Sequence, residues 1–164
     1  MIPSDHFVRF YNEVFKFLDK RNGLRDYYDT ISTHQQRELL EKFRSGGVKA
    51  MADYWDHIRI EENCGMELYH TEDSFTLVMT KCPSLTKVMD NDAGVCEKYC
   101  QHCPGWVLPL FTASGFYCVY NVIGLLTPRC EIKVFTDREK AEECKADLLA
   151  SNVPAECIFD NLFT

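Results

Sequence analysis

The 164-residue chain has no polybasic run and no apolar run long enough to span a bilayer. Its 18 basic residues are scattered singly among 25 acidic ones, for a net charge of −7, so a Lys/Arg face that gathers nucleic acid is not expected. The N-terminal stretch is interrupted by Asp5, Arg9, Glu13 and Lys16, and so lacks the unbroken apolar core of a secretory signal. There is no internal repeat, no low-complexity linker and no paired set of Cys-x2-Cys zinc knuckles. The expectation from these absences is a cytoplasmic chain with no nucleic-acid and no membrane partner. Its nine cysteines, an odd number, then read as reduced thiols rather than a disulfide framework.

What is present is an ordinary globular composition, 46% hydrophobic and 26% charged. The length fits one domain over residues 1–164, with a helical part (1–62) and a cysteine-rich part (63–164). Phe7, Phe10, Tyr11, Val14 and Leu18 recur at helical spacing over residues 4–20, with Asn22-Gly23 as the stop. Thr33 and Gln36 suggest a capping box for a second helix that ends at Gly46-Gly47, and residues 48–62 read as a third. The aromatic first helix is also a candidate homodimer surface. The period then drops to two. Residues 66–70 and 74–82 alternate as a hairpin, and residues 116–123 and 129–136 read as a second strand pair. Asp137 is placed to cap a charged helix, and residues 155–163 are a last strand or an irregular tail. The fold class is therefore α+β: a helical layer on an antiparallel sheet of two hairpins, linked by a Pro-kinked, cysteine-rich helix over about 95–114.

Six of the cysteines fall between Cys82 and Cys130. They are small buried apolar residues, or sulfurs gathered to act as nucleophile or metal ligand. On a continuous helix Cys96, Cys100 and Cys103 share one face, and His102 joins them only where the helix breaks. Pro104 supplies a break, since it lacks an N–H and clashes with the preceding turn. Cys82-Pro83 and Cys103-Pro104 then both sit at helix starts, where free amides favour thiolate, so Cys82 and Cys103 are the candidate nucleophiles with His102 as proton carrier. Cys118, Trp106, Tyr117 and Glu97 are candidate substrate contacts. Cys96, Cys100, Cys103 and Cys130 are candidate ligands of a metal, zinc being the ion such a set suits; no cofactor at all is the equal alternative. Cys96-x3-Cys100-x2-Cys103 has the spacing of the iron–sulfur motif of radical S-adenosylmethionine enzymes. However, His102 stands where those carry an aromatic residue, and too little chain follows for a barrel.

The order of a strand ending in Cys82-Pro83, the run Cys96-Glu97-Lys98-Tyr99-Cys100-Gln101-His102-Cys103, a strand opening Gly115-Phe116-Tyr117-Cys118, and Cys130-Glu131-Ile132-Lys133-Val134-Phe135 resembles the L-2-amino-thiazoline-4-carboxylic acid hydrolase family over roughly residues 60–136. That resemblance implies hydrolysis of a C–N bond in a small cyclic amidine, by a cysteine nucleophile or a metal-bound water, to give a carbamoyl cysteine. The Gly-aromatic strand and the later Cys strand also look like 4-vinyl-reductase-type domains, which implies a non-catalytic sensor of a small ligand or metal. In that family a Gly-x2-Cys lead-in opens the late strand, whereas here Thr127-Pro128-Arg129 precedes Cys130.

Overall fold

A computed structural model describes residues 3–35, 37–90 and 94–162, and the side chains of these apart from residues 3–5 and 35. The helical part is made of α1 (Pro3–Asp19), α2 (Leu24–Gln35) and α3 (Arg37–Glu61). The first helix stops as expected, with Asn22 in the left-handed region at φ 55°. The second differs from expectation. Ser32 and Thr33 lie inside α2 rather than at a helix start, and Thr33 Oγ1 donates back to the Asp29 carbonyl. The two later helices read from the sequence run on as α3, kinked at Gly47 (φ 58°, ψ −148°), a conformation that only glycine adopts freely. Gln36, the stretch 91–93 and Phe163, expected to act in a cap, a loop and the last segment, lie outside the described residues.

The sheet follows the alternation closely. Strands β1 (Gly65–His70) and β2 (Ser74–Lys81) form one antiparallel hairpin, and β3 (Tyr117–Asn121) pairs antiparallel with β4 (Cys130–Phe135). The two pairs join through β2 and β4, with Met79 opposite Cys130 and Phe75 opposite Val134. A short β5 (Ile158–Asp160) pairs with β3, giving the order β1-β2-β4-β3-β5. Between the pairs, α4 (Pro83–Met89), a 3-10 turn (Tyr99–Gln101) and α5 (His102–Ser114) cross the sheet; α6 (Arg138–Ala150) follows β4. Asp137 caps α6 as expected, its side chain accepting from the Glu139 N–H.

Period-two burial puts Phe75, Leu77, Cys118, Tyr120, Ile132 and Val134 on one face of the sheet, in a core shared with Trp55 of α3 and Phe111 of α5. Val119 faces the other way, onto Ala141 of α6. A second core joins α1, α2, α4 and the loop before α5, through Phe15, Tyr28, Leu85, Cys96 and Tyr99. The start of α5 is wedged between these two cores. Among the described residues no helix is long and apolar enough to cross a membrane.

The expected helix over 95–114 is corrected here. Residues 95–98 are not helical, and the α-helix begins only at His102. The Cys96 N–H is taken by Asn12 Oδ1 of α1 at 2.8 Å, while Asn12 Nδ2 donates to the Gly94 carbonyl, also at 2.8 Å. A fully buried amide thus replaces the helical ladder for this stretch.

α2 approaches α5 at Gly105, where a Cβ would stand 2.6 Å from Tyr28 Cδ2 and 2.9 Å from Cγ. Helix propensity alone favours alanine over glycine by about 1 kcal/mol. Overpacking against a ring held by Phe15 and Trp106 costs about 1–3 kcal/mol and should win. Gly105→Ala is therefore expected to lower the midpoint of urea unfolding; an unchanged or raised midpoint would contradict this close approach.

Candidate functional site

Four sulfurs turn toward one small hollow. Cys82, Cys100, Cys103 and Cys130 line a cavity of about 30 Å³ together with Tyr99, His102 and Tyr120. Each arrives for a local reason. Cys82 follows β2 in extended backbone (φ −70°, ψ 115°) and caps α4, its Sγ accepting the Leu85 N–H at 3.4 Å, with Pro83 as first helical residue. Its own N–H donates to the Pro128 carbonyl at 2.8 Å, which ties it to the approach to β4. Cys130 and Tyr120 project from the core face of β4 and β3. Cys100 and Cys103 come from the 3-10 turn and the first turn of α5.

His102 and Cys103 form a pair. His102 Nδ1 lies 2.5 Å from the Tyr99 carbonyl oxygen, and its Nε2 lies 3.1 Å from Cys103 Sγ. A carbonyl can only accept, so Nδ1 carries the proton and Nε2 of the neutral ring is left as an acceptor for the Cys103 thiol. Tyr99 is itself clamped, its hydroxyl 2.7 Å from Ser84 Oγ on α4. On the other side of the cavity, the Tyr120 hydroxyl stands 3.3 Å from Cys130 Sγ. The two contacts of the ring therefore run one way, Cys103 donating to His102 and His102 to Tyr99.

The surroundings keep these groups uncharged. The His102 ring stacks on Phe15 at 5.4 Å and meets Tyr99 and Trp106 edge-on at 5.0 and 4.8 Å. Burial there pushes its pKa from 6.5 down to about 4. Burial likewise pushes Cys103 up to about 11, against a smaller downward pull from Tyr120. Cys82 and Cys100 rise to about 11, and Cys130 to about 12, again chiefly by burial. The expected low-pKa thiolate at a helix start is thus overturned. A helix N-terminus contributes about 0.3–1 kcal/mol at exposed sites and up to about 2 where partly buried, whereas full burial shifts a pKa by as much as about 3–5 units.

The other sequence candidates are placed elsewhere. Cys96 is buried in the second core, away from the sulfur-lined cavity. Cys118 is fully buried in the first core, its N–H donating to Asn161 Oδ1 at 2.7 Å. Tyr117 packs under α6, on the opposite face of the sheet. Trp106 backs the His102 ring rather than lining the cavity, and Glu97 is exposed to solvent. The set Cys96, Cys100, Cys103 and Cys130 is therefore not brought together, since Cys96 stands apart; among the described residues no three His, Cys, Asp or Glu side chains are arranged to hold a metal ion. Sequence reasoning missed Tyr120, Tyr99 and Arg129. Tyr120 had a signal in the β-pattern that pairs it with Ile132, two residues along β4 from Cys130 and so on the same face. Arg129 is exposed at the cavity rim with Thr127.

A larger cleft of about 570 Å³ lies on the other side of the first turn of α5, between that turn, α2 and the α1–α2 connection. Pro104 and Gly105 wall it, along with Tyr28, Arg25, Lys98 and Gln101, and none of the four sulfurs reaches it.

A thiol held at about 11 has roughly one molecule in ten thousand ionised at pH 7, the thiolate being the reactive form. Alkylation of Cys103 by iodoacetamide, followed by peptide mass mapping, is expected to climb about tenfold per pH unit without levelling below pH 10. A plateau below pH 8 would contradict the neutral pair. Comparison with protein-family models, with curated proteins and with solved structures gave no match.

Proposed function

We propose that the chain is a thiol hydrolase that opens a small cyclic amidine, such as a 2-amino-thiazoline-4-carboxylate, at a C–N bond, with Cys103 as nucleophile and His102 as its base. The observation that carries this reading is the oriented pair: Cys103 Sγ 3.1 Å from an imidazole nitrogen whose partner nitrogen is bound to the Tyr99 carbonyl. The family resemblance supplies the substrate class.

In the proposed reaction Cys103 gives its proton to His102 Nε2 and its sulfur adds to the amidine carbon. The ring C–N bond breaks, and the ring nitrogen takes the proton from His102. Water then adds to the thioimidate-like carbon, its proton passing to His102, and the Cys103–carbon bond breaks. Cys103 recovers the proton and an S-carbamoyl cysteine leaves, so that one water has been consumed per ring opened. Burial opposes a lone thiolate here, but a protonated amidine brings a positive charge beside the sulfur and offsets that cost. Exposed Arg129 at the rim fits the substrate carboxylate, since a guanidinium binds it through two parallel hydrogen bonds. A space of about 30 Å³ holds about one water and not a ring, so entry requires displacement of the wall carrying Thr127 and Arg129. Leu126 in that connection sits at φ 63°, a costly conformation for a residue with a Cβ.

A second reading, a binding domain of the 4-vinyl-reductase type without catalysis, is favoured by the separate cleft of about 570 Å³. One experiment separates the two. The purified chain is incubated with 2-amino-thiazoline-4-carboxylate and carbamoyl cysteine is followed by mass spectrometry. The hydrolase reading expects product formation that Cys103→Ser abolishes and that His102→Asn slows by about 10²–10⁴-fold, with circular dichroism unchanged. Saturable binding without turnover, indifferent to Cys103→Ser, would overturn it in favour of the second reading.

A further inference from the structure

We infer that Cys100 and Cys103 form a dithiol/disulfide redox centre that exchanges two electrons with a low-molecular-weight disulfide, Cys103 being the attacking sulfur and Cys100 the resolving one. The inference rests on the turn that joins them and stands whether or not the hydrolysis does.

The two cysteines are separated by Gln101 and His102 alone, and the backbone between them is a 3-10 turn running into α5. The Gln101 N–H donates to the Lys98 carbonyl at 3.0 Å, and the His102 N–H donates to the Tyr99 carbonyl. The turn is 3-10 over Tyr99–Gln101 and α-helical from His102, and three residues along either helix bring Cα atoms to about 5–6 Å with the side chains on one side. A disulfide spans Cα separations of about 4.4–6.8 Å, so the bond forms with little backbone movement. Both sulfurs line the same cavity. Cys82 and Cys130, the remaining sulfurs of the cavity, come from separate elements. Cys82 is engaged with the Leu85 N–H, and Cys130 with the Tyr120 hydroxyl.

His102 provides the proton path. In the first step Cys103 Sγ attacks one sulfur of the small disulfide RSSR and its proton passes to Nε2 of His102. The S–S bond breaks, and the departing RS⁻ takes that proton as RSH. In the second step Cys100 Sγ attacks the Cys103 sulfur of the mixed disulfide, and its proton leaves with the second RSH. The balance is two protein thiols oxidised to one disulfide and one RSSR reduced to two RSH. Oxidation ties up Cys103, so the same bond would switch off any reaction that uses it as nucleophile.

The test uses the full chain and bis(2-hydroxyethyl) disulfide in excess, with intact mass and differential alkylation as readouts. The expected result is loss of two hydrogen atoms, with Cys100 and Cys103 protected together and reversal by dithiothreitol. Cys100→Ser, and Cys100→Ala as a second variant, should instead stop at a hydroxyethylthio adduct on Cys103. Pairing of Cys103 with Cys82 or Cys130, a stable adduct on Cys103 in the unmutated chain, or thiols that stay fully reduced would each overturn the inference. None of these readouts depends on turnover of an amidine.

Discussion

The hydrogen bond from His102 to the Tyr99 carbonyl is the contact on which the rest of the site depends. It fixes which ring nitrogen bears hydrogen, and therefore which one faces Cys103. The carbonyl can do this because its own residue does not move: Tyr99 is 1% exposed and bonded through its hydroxyl to Ser84. The aromatic shell of Phe15, Tyr99 and Trp106 removes water from the imidazole and keeps it neutral, so the hydrogen bonds of the network pass between uncharged groups. The site is in this sense poised rather than charged.

The fold serves that contact by bringing two layers to the start of α5. The sheet supplies Tyr120 and Cys130 from adjacent strands, and the β2–β4 pairing sets Cys82 near them through the Pro128 carbonyl. The helical layer supplies the dry side, with Phe15 from α1 against the ring and Tyr28 from α2 against Gly105. Asn12 holds the loop before the 3-10 turn by bonding both Gly94 and Cys96. Loss of that amide would leave the buried Cys96 N–H without its acceptor, at a cost of about 1–3 kcal/mol, while the carbonyl of exposed Gly94 can turn to water. The irregular run ahead of His102 is thus held by tertiary contacts more than by its own propensity.

Much of the fold was legible because burial on a strand follows a period of two and turns carry their own residues. Both strand pairs, the Pro83 boundary and the Asp137 cap could be read that way. α2 escaped because Leu24, Tyr27, Tyr28 and Ile31 are diluted by Arg25, Asp26, Asp29 and Thr30, and its apolar side is recognised only against α5. The stripe Cys96, Cys100, Cys103 has helical spacing, yet its first member is bound to Asn12, 84 residues away in sequence, and no local pattern records that. Of the candidate nucleophiles and base, Cys82, Cys103 and His102 do share the cavity; Pro83 opens α4, and Pro104 falls in the first turn of α5, two residues after its start at His102. The sign of the thiol shift was not legible, because it depends on how much water the surrounding aromatic residues exclude.

His102 is a neutral imidazole with its hydrogen on Nδ1 and its Nε2 turned to a protonated Cys103. Nitrogen-15 NMR of the imidazole, in the folded full chain labelled at histidine, measures this directly. The expected result is a protonated-type Nδ1 shift and a bare-type Nε2 shift for His102, unchanged from pH 8 down to about 5 and titrating near 4. An imidazolium signature at pH 7, or hydrogen on Nε2, would contradict it.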